Sequence, residues 1–339
     1  MRLSARLFAL CVALFGLPAL AEPVSGLYQV REAVASQQPE ERDAALGRAL
    51  ETLVLRLTGD AEALRSPALE GVRQDPQQLV SQYVYEGENL VVDFDPLTTE
   101  NKLRQAGLPL WGANRPSILA WWLNTGAEGA NLVGDGQEVS APLRQAAQHR
   151  GLPLRLPLAD LQEQLLATPD NLGASQPDAL REASERYAAD ALLAVQATEA
   201  GGQWQAEWRL WLGDSREQGK VQGADQKALA DAVLLAVSQR LAPRFLVKPG
   251  AASALTLEIQ GANLARYAEL ERLLEPFAAR LLRVQGDSLV WQVNASAEQL
   301  RAQLGLAGLQ EVPADALPLD VGASPQAAPA AANLMRFRW

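Results

Sequence analysis

The chain has 339 residues, of which 48% are hydrophobic, so it has enough apolar material for two or three cores. Its formal net charge is −10, from 40 acidic and 30 basic residues, and this negative charge opposes binding to phosphate backbones, so we expect no nucleic-acid partner. One cysteine, Cys11, and one histidine, His149, are too few for a zinc site, and we expect no cofactor.

The amino-terminal segment has the pattern of a cleaved secretory signal. Arg2 and Arg6 make a basic start, residues 7–17 form an apolar run, and an Ala-Leu-Ala sequence ends at Ala21. The apolar run is too short to remain in a bilayer as a permanent anchor. We therefore expect residues 1–21 to be removed, leaving a periplasmic chain that has no cysteine, no disulfide and no integral membrane segment.

The first predicted module spans residues 22–112 and has the order strand, helix, two strands, helix. Its long helix begins at Pro39, a residue suited to the first helical position, and ends at Gly59. Alternating apolar residues predict the strands, two of which form a hairpin around Gly87. The other predicted elements are strand 26–35, a short helical stretch at 67–79, hairpin strands 83–85 and 90–94, and helix 96–106.

The second predicted module spans residues 113–248, where strands alternate with helices, which favours a mixed sheet with helices packed on it. Gly201 and Gly202 turn one strand into the next. The Gly-rich segment 126–136 lacks the ending of a phosphate-binding loop, so we expect a surface loop there. The predicted strands are 118–123, 152–156, 191–197 and 203–212, and the predicted helices are 140–151, 177–187 and 224–241.

The third predicted module, residues 249–312, has the order βαββαβ, which is that of the ferredoxin-like split arrangement. Ser296 and Gln299 form a capping box at the start of its second helix. An Ala- and Pro-rich linker, 313–333, then leads to a terminal strand, 334–339. The predicted fold class is therefore α/β (α+β), with three small mixed-sheet modules of which the last is ferredoxin-like.

Several motifs in the first 125 residues resemble those of a secreted proteobacterial family. They are Glu41-Arg42-Asp43-Ala44-Ala45-Leu46, Arg56-Leu57-Thr58-Gly59, Tyr83-Val84-Tyr85, Val92-Asp93-Phe94-Asp95, and Leu110-Trp111 followed by Arg115-Pro116. That family is catalogued as domain of unknown function 2066, and the resemblance implies secretion but no activity or catalytic residue. More loosely, the second module is similar in element order to envelope lipoproteins and to the amino-terminal domain of the Tol-system propeller protein, which implies protein interaction.

Three titratable residues are candidates for chemistry. His149, at the end of a predicted helix, has two interpretations, a general base or a solvent-facing residue that suits the helix carboxyl end. Asp93 and Asp95 lie on one face of a strand and are either an acid/base or calcium-binding pair or the solvated side of a hairpin.

Tryptophans at the entry to the second module and within it are candidates for binding. Trp111, Trp122 and Trp211 are placed so that exposed indole rings would stack on sugars or anchor a protein partner. Trp122 and Trp211 are expected on the strand faces opposite to those of neighbouring tryptophans. The alternative is that all of them pack between sheet and helices.

The terminal strand alternates apolar and basic residues, with Phe337 and Trp339 as further candidate binding residues. Three interpretations remain open at this point. The strand resembles the closing signal of outer-membrane barrels, it suits a groove in another protein, or it docks onto an open sheet edge.

These observations predict a non-enzymatic protein of the cell envelope that works by binding another protein, as an adaptor or assembly factor. One alternative is a module that binds a glycan or another small envelope ligand through its tryptophans. A second alternative is a carboxylate-dependent hydrolase. The sequence identifies neither the envelope partner nor the oligomeric state.

Overall fold

The computed structural model describes residues 24, 26–127, 129–246, 253–274, 277, 279–312 and 334–339. The predicted signal peptide, Cys11 and the predicted linker therefore lie outside the described residues. Within them, the chain forms three sheets of three, six and five strands together with ten α-helices. This architecture confirms the predicted α/β class with three sheet modules, while the exact module boundaries stay a prediction.

The first sheet is a small antiparallel one with a long helix across one face. Its strands β1 (Gln29–Ala33), β2 (Val80–Glu86) and β3 (Asn89–Phe94) follow the order β1-β3-β2. Helix α1 (Pro39–Thr58) has Pro39 in its first turn and ends at Gly59, whose φ of 68° lets its N–H reach the carbonyl of Leu55. The short helix α2 (Glu70–Gln74) precedes β2, and α3 (Pro96–Gln105) follows β3.

The central sheet has the order β5-β4-β7-β8-β9, and β6 also pairs with β4. Parallel pairing joins β4 to β6 and β7, and antiparallel pairing joins the other neighbours. The strands are β4 (Ile118–Gly126), β5 (Gly129–Leu132), β6 (Leu154–Arg155), β7 (Ala191–Ala200), β8 (Gln203–Leu212) and β9 (Ser215–Gly223). Two strands differ from the prediction, because β5 occupies part of the expected surface loop and β9 was not expected at all.

Helices cover both faces of the central sheet. They are α4 (Ala141–Arg150), α5 (Leu161–Leu166), α6 (Pro169–Gly173), α7 (Asp178–Ser184) and α8 (Gln226–Phe245). Side chains of α4 and α8 form one core with alternate residues of β4, β7 and β8, whereas Leu172 and Leu180, from α6 and α7, belong to a second core on the other face. Strands β4 and β7 are consequently buried on both sides, which explains their continuous apolar sequences.

The third sheet consists of β10 (Ser253–Gln260), β11 (Arg280–Gln285), β12 (Ser288–Ala295), β13 (Gln310–Glu311) and β14 (Leu334–Arg338). Helices α9 (Leu264–Leu274) and α10 (Ala297–Leu306) contribute to its core, and the predicted capping box of Ser296 and Gln299 is present. The strand order is β11-β12-β10-β14-β13. The ferredoxin-like detail is not confirmed, because β14 lies between β10 and β13 and pairs with β10 in parallel.

No helix in the described part of the chain is both long and apolar enough to cross a membrane.

Candidate functional site

The three candidate tryptophans of the central region are buried. Trp111, Trp122 and Trp211 are 0%, 3% and 5% exposed. The expected orientation holds, since Trp122 and Trp211 lie on strand faces opposite to Trp121 and Trp208 respectively. Exposure does not follow from orientation here, because helices cover both faces of this sheet.

The space beside Trp122 is too small for a sugar ring. A cavity of about 10 Å³, lined in part by Trp122, Asn124 and Leu143, has room for about one water molecule. The indole N–H of Trp122 donates to the side-chain oxygen of Asn124 at 2.8 Å, so its polar atom is already engaged. These contacts give no support to glycan stacking at Trp122.

The two candidate aromatic residues of the terminal strand pack within their own chain. Phe337 is 2% exposed, lies opposite Ile259 of β10 and belongs to the core of the third sheet. Trp339 is half-buried, with the guanidinium of Arg266 5.0 Å from its ring centre. The interpretation that this strand docks on its own chain therefore describes the structure. A binding role for any of the five candidate aromatic residues stays a prediction.

The candidate carboxylates of the first module are held by neighbouring groups. The carboxylate of Asp93 accepts hydrogen bonds from the side-chain amides of Gln29, at 2.8 Å, and Gln82, at 3.0 Å. The carboxylate of Asp95 accepts a hydrogen bond from the N–H of Thr98 at 2.7 Å, which caps α3, and hydrogen bonding with the side chain and then the N–H of Thr98 lowers the pKa of Asp95. Both carboxylates thus stabilise local structure.

His149 lies in a polar cluster between the first and second sheets. Its Nδ1 atom is 3.2 Å from an oxygen of Asp231 on α8, and its Nε2 atom is 3.2 Å from the hydroxyl of Thr52 on α1. Thr52 in turn donates to Glu32 at 3.1 Å, and Arg150 forms an ion pair with Asp231. Sequence reasoning missed this cluster, since Asp231 is 82 residues from His149 and no local motif links them.

The acids around His149 favour its protonated form. The hydrogen bond with Asp231, and then the carboxylate of Glu32 at 3.7 Å from Nε2, raise the pKa of His149, although partial burial and the charge of Arg150 oppose them. Partial burial alone would raise the pKa of Asp231, but the hydrogen bonds from His149 and Arg150 outweigh it and lower that pKa to about 2. In its protonated form the imidazole donates to Asp231 through Nδ1 and to Thr52 through Nε2.

The order of hydroxyl, imidazole and carboxylate is that of a nucleophile triad, but the hydroxyl is directed to a different acceptor. A triad histidine must be neutral at Nε2 to accept the proton of the hydroxyl. Here the Thr52 hydroxyl donates to Glu32 instead, at 3.1 Å. The arrangement is therefore suited to holding two modules together.

Two buried arginines lie beside this cluster. Arg56, 3% exposed, donates to the carbonyl of His149 at 3.0 Å and to that of Leu27 at 2.6 Å. Arg115, 0% exposed, donates to the carbonyls of Gly151 at 3.0 Å and Arg56 at 2.7 Å. The guanidinium groups thereby bind the carbonyls at the carboxyl end of α4, where the helix dipole favours positive charge.

Burial makes these arginines easier to deprotonate than usual. It lowers the pKa of Arg56 to about 10, with help from the charge of Arg150. Burial and the charge of Arg56 lower the pKa of Arg115 to about 9. Arg115 also lies 4.2 Å above the ring centre of Trp111, which stacks on Phe245 at 5.8 Å. Trp111 is thus part of the packing between the first two sheets.

The first sheet has an open edge along β2. This strand pairs with β3 on one side, and among the described residues no other strand pairs with its second side. Tyr83 is 41% exposed and Val84 is 53% exposed, and the ring of Tyr83 meets that of Tyr85 edge to face. Apolar side chains on an unpaired edge are unusual, since such edges invite another strand.

Comparisons with known proteins characterise only the first module. Residues 21–112 match the model of a family described as a domain of unknown function (DUF8605), which covers less than a third of the chain. The resemblance to domain of unknown function 2066 is therefore wrong, because the matching family is a different one. No curated protein and no solved structure matches the chain, so the looser likeness to envelope interaction domains gains no support.

Proposed function

We propose that this chain is an exported, non-enzymatic protein of the cell envelope that acts in the periplasm as an adaptor or assembly factor. One observation carries the proposal, the open edge of β2 with its exposed Tyr83 and Val84. An extended segment of a partner protein fits such an edge, because its main chain continues the hydrogen-bond ladder and its side chains contact the exposed residues.

β2 offers one exposed side chain on each face of the sheet to a partner strand. Tyr83 lies opposite Val92, on the face that packs on α1, and Val84 lies opposite Val91 on the other face. A partner strand next to β2 would therefore meet an aromatic ring on one face and a β-branched side chain on the other. Tyrosine is enriched at protein interfaces because it combines a large apolar ring with a polar hydroxyl.

Export is supported by the sequence pattern of residues 1–21. Fractionation of cells and amino-terminal sequencing test this part of the proposal. We expect the protein in the periplasmic fraction with Glu22 as its first residue. Uncleaved protein in the cytoplasmic fraction would contradict it.

Site-specific photocrosslinking in intact cells tests the interaction. A photoreactive phenylalanine derivative replaces Tyr83 or Val84, and a control replaces Leu97, which is 72% exposed on α3 of the same module. We expect the same protein adduct from both edge positions and none from position 97. Adducts of equal yield at all three positions, or none at either edge position, would contradict the proposal.

A charge substitution provides a second test. Lysine on an edge strand discourages pairing with a further strand. We expect Tyr83→Lys and Val84→Lys to abolish capture of the crosslinked partner, while Leu97→Lys leaves capture unchanged. The melting temperature of each variant, compared with that of the unsubstituted protein, separates a lost interface from a lost fold.

A further inference from the structure

The third sheet has a face that is not part of its hydrophobic core. One set of alternating residues, including Leu257, Trp291 and Phe337, packs into the core with α9 and α10. Those residues of the other set whose burial the structure describes are half-buried or exposed. We call this second set the open face; its charged members are Arg280, Arg283, Arg336, Arg338 and Glu258.

A β-bulge places two of these arginines on the same side. Arg280 lies opposite Gln292 and Arg283 lies opposite Val290, with a shift of register at Leu282. Residues three apart in a regular strand point to opposite faces, so the extra residue is what brings both arginines onto the open face.

The charge of the open face is opposite to that of the chain as a whole. It carries four arginines and one glutamate, whereas the chain has a net charge of −10. Glu258 is already paired with Arg336 at 3.0 Å. Arg280, Arg283 and Arg338 are exposed, and within the described residues none of them has a carboxylate within 4.0 Å.

The open face ends at an unpaired strand. β11 pairs with β12 on one side, and its other side has no strand partner among the described residues. Leu282 is 51% exposed and Val284 is 59% exposed on this strand. Main-chain groups, apolar side chains and arginines are therefore available together along β11.

We propose that β11 and the adjoining open face bind an extended acidic segment of a partner protein, which adds to the sheet as a sixth strand. Acidic side chains of that segment would face Arg280 and Arg283, and alternate apolar side chains would lie beside Val284. This surface is in a different module from β2, so the proposal stands or falls independently of the one above.

The unpaired edge favours a protein segment over a phospholipid surface or a nucleic acid. Lipid headgroups and phosphate backbones satisfy arginines but leave the main-chain N–H and C=O groups of β11 without partners. An added strand satisfies both, and complementary charge fixes which segments it accepts.

The test measures binding of the mature full-length chain to fluorescein-labelled octapeptides by fluorescence anisotropy. The first peptide alternates glutamate and valine, the second replaces each glutamate with glutamine, and the third repeats the first with alternate main-chain nitrogens methylated. We expect the first peptide to bind and the second to bind about tenfold more weakly or worse. The methylated peptide should not bind, because it cannot complete a ladder.

Protein variants locate the site. Arg280→Gln with Arg283→Gln should weaken binding of the glutamate peptide about tenfold, and Arg181→Gln with Arg216→Gln, a matched pair of exposed arginines in the central module, should leave it unchanged. An equal loss in both pairs, undiminished binding of the methylated peptide, or no binding of the glutamate peptide would overturn the proposal.

Sedimentation of the chain with phosphatidylglycerol vesicles in the absence of peptide binding would assign the face to lipid, and a dimer broken only by the β11 variants would assign it to a second copy.

Discussion

Nη2 of Arg115 lies 2.7 Å from the main-chain carbonyl of Arg56, another residue whose guanidinium is buried. Arg56 in turn binds the carbonyl of His149, and Arg115 binds that of Gly151. Both cations are thus satisfied by main-chain oxygens at the end of α4. The two arginines therefore link α1 of the first module to the carboxyl end of α4 in the central module.

Replacing Arg115 should show how much this junction stabilises the protein. Arg115→Met keeps a long apolar side chain but leaves the carbonyls of Arg56, Trp111 and Gly151 without their donor. We expect a loss of roughly 2–4 kcal/mol in the free energy of unfolding, measured by urea denaturation. Arg65→Met, at an exposed arginine, should change it by no more than about 0.5 kcal/mol. Equal stability of the two variants would contradict the stabilising role of Arg115.

Gly151 is the position where a single methyl group should disturb the junction most. Its φ is 64°, and a Cβ atom there would lie 2.7 Å from Cδ of Arg56 and 3.1 Å from Nη1 of Arg115. We expect Gly151→Ala to destabilise the protein by at least about 1–2 kcal/mol. Gly47→Ala, inside α1 with open space around it, should instead stabilise by about 0.5–1 kcal/mol. Thermal or urea unfolding of both variants distinguishes steric conflict from a general effect of alanine.

The His149 cluster predicts a stability that depends on pH. The folded pKa of His149 is raised above its unfolded value of about 6.5, so its contribution is complete below about pH 6.5 and is lost as pH rises through the folded pKa. His149→Gln should therefore flatten the fall in unfolding free energy on the alkaline side of pH 6.5. The control is the acid side, where the lowered pKa of Asp231 gives a contribution present above about pH 4 and lost toward pH 2. Part of that loss should persist in the variant, because Arg150 still pairs with Asp231 after the hydrogen bond from His149 is gone.

Two buried tryptophans allow a comparison of hydrogen-bonded and unbonded indole groups. Trp122 donates to Asn124, whereas the buried indole N–H of Trp211 has no acceptor among the described residues. Each change to phenylalanine removes similar volume, but only Trp122→Phe removes a hydrogen bond. We expect Trp122→Phe to be more destabilising than Trp211→Phe by about 1 kcal/mol in urea unfolding. The reverse order would indicate a polar partner for Trp211 outside the described residues.

Elements with a strong local pattern were predictable from the sequence, and the junction between modules was not. The boundaries of α1 follow from Pro39 and Gly59, and the second helix of the third module begins at the expected capping box. β9 was not predictable, because it is a mostly polar edge strand and its sequence has no alternation of apolar residues. It packs on β8 at Gly219, which lies against the ring of Trp208.

The candidate site shows the same limit. His149 and Thr52 are 97 residues apart, and only the packing of α1 beside α4 brings them together. For the tryptophans, the strand pattern gave the correct facing but carried no information about which faces helices cover. Whether both faces of a sheet are buried depends on how the helices pack around it, and this cannot be predicted from the sequence of one strand.

The position of β14 imposes an order on the assembly of the third sheet. Its residues 334–338 lie between β10 and β13, so β10 lacks one neighbour until that segment has been delivered. A chain that has been synthesised only as far as β13 has that position in the sheet empty, and the side chains of Leu257 and Ile259 are not yet covered by Met335 and Phe337. The sheet is therefore complete only once β14 has paired with both neighbours, and until then the unpaired side of β10 is open to proteases and to foreign strands.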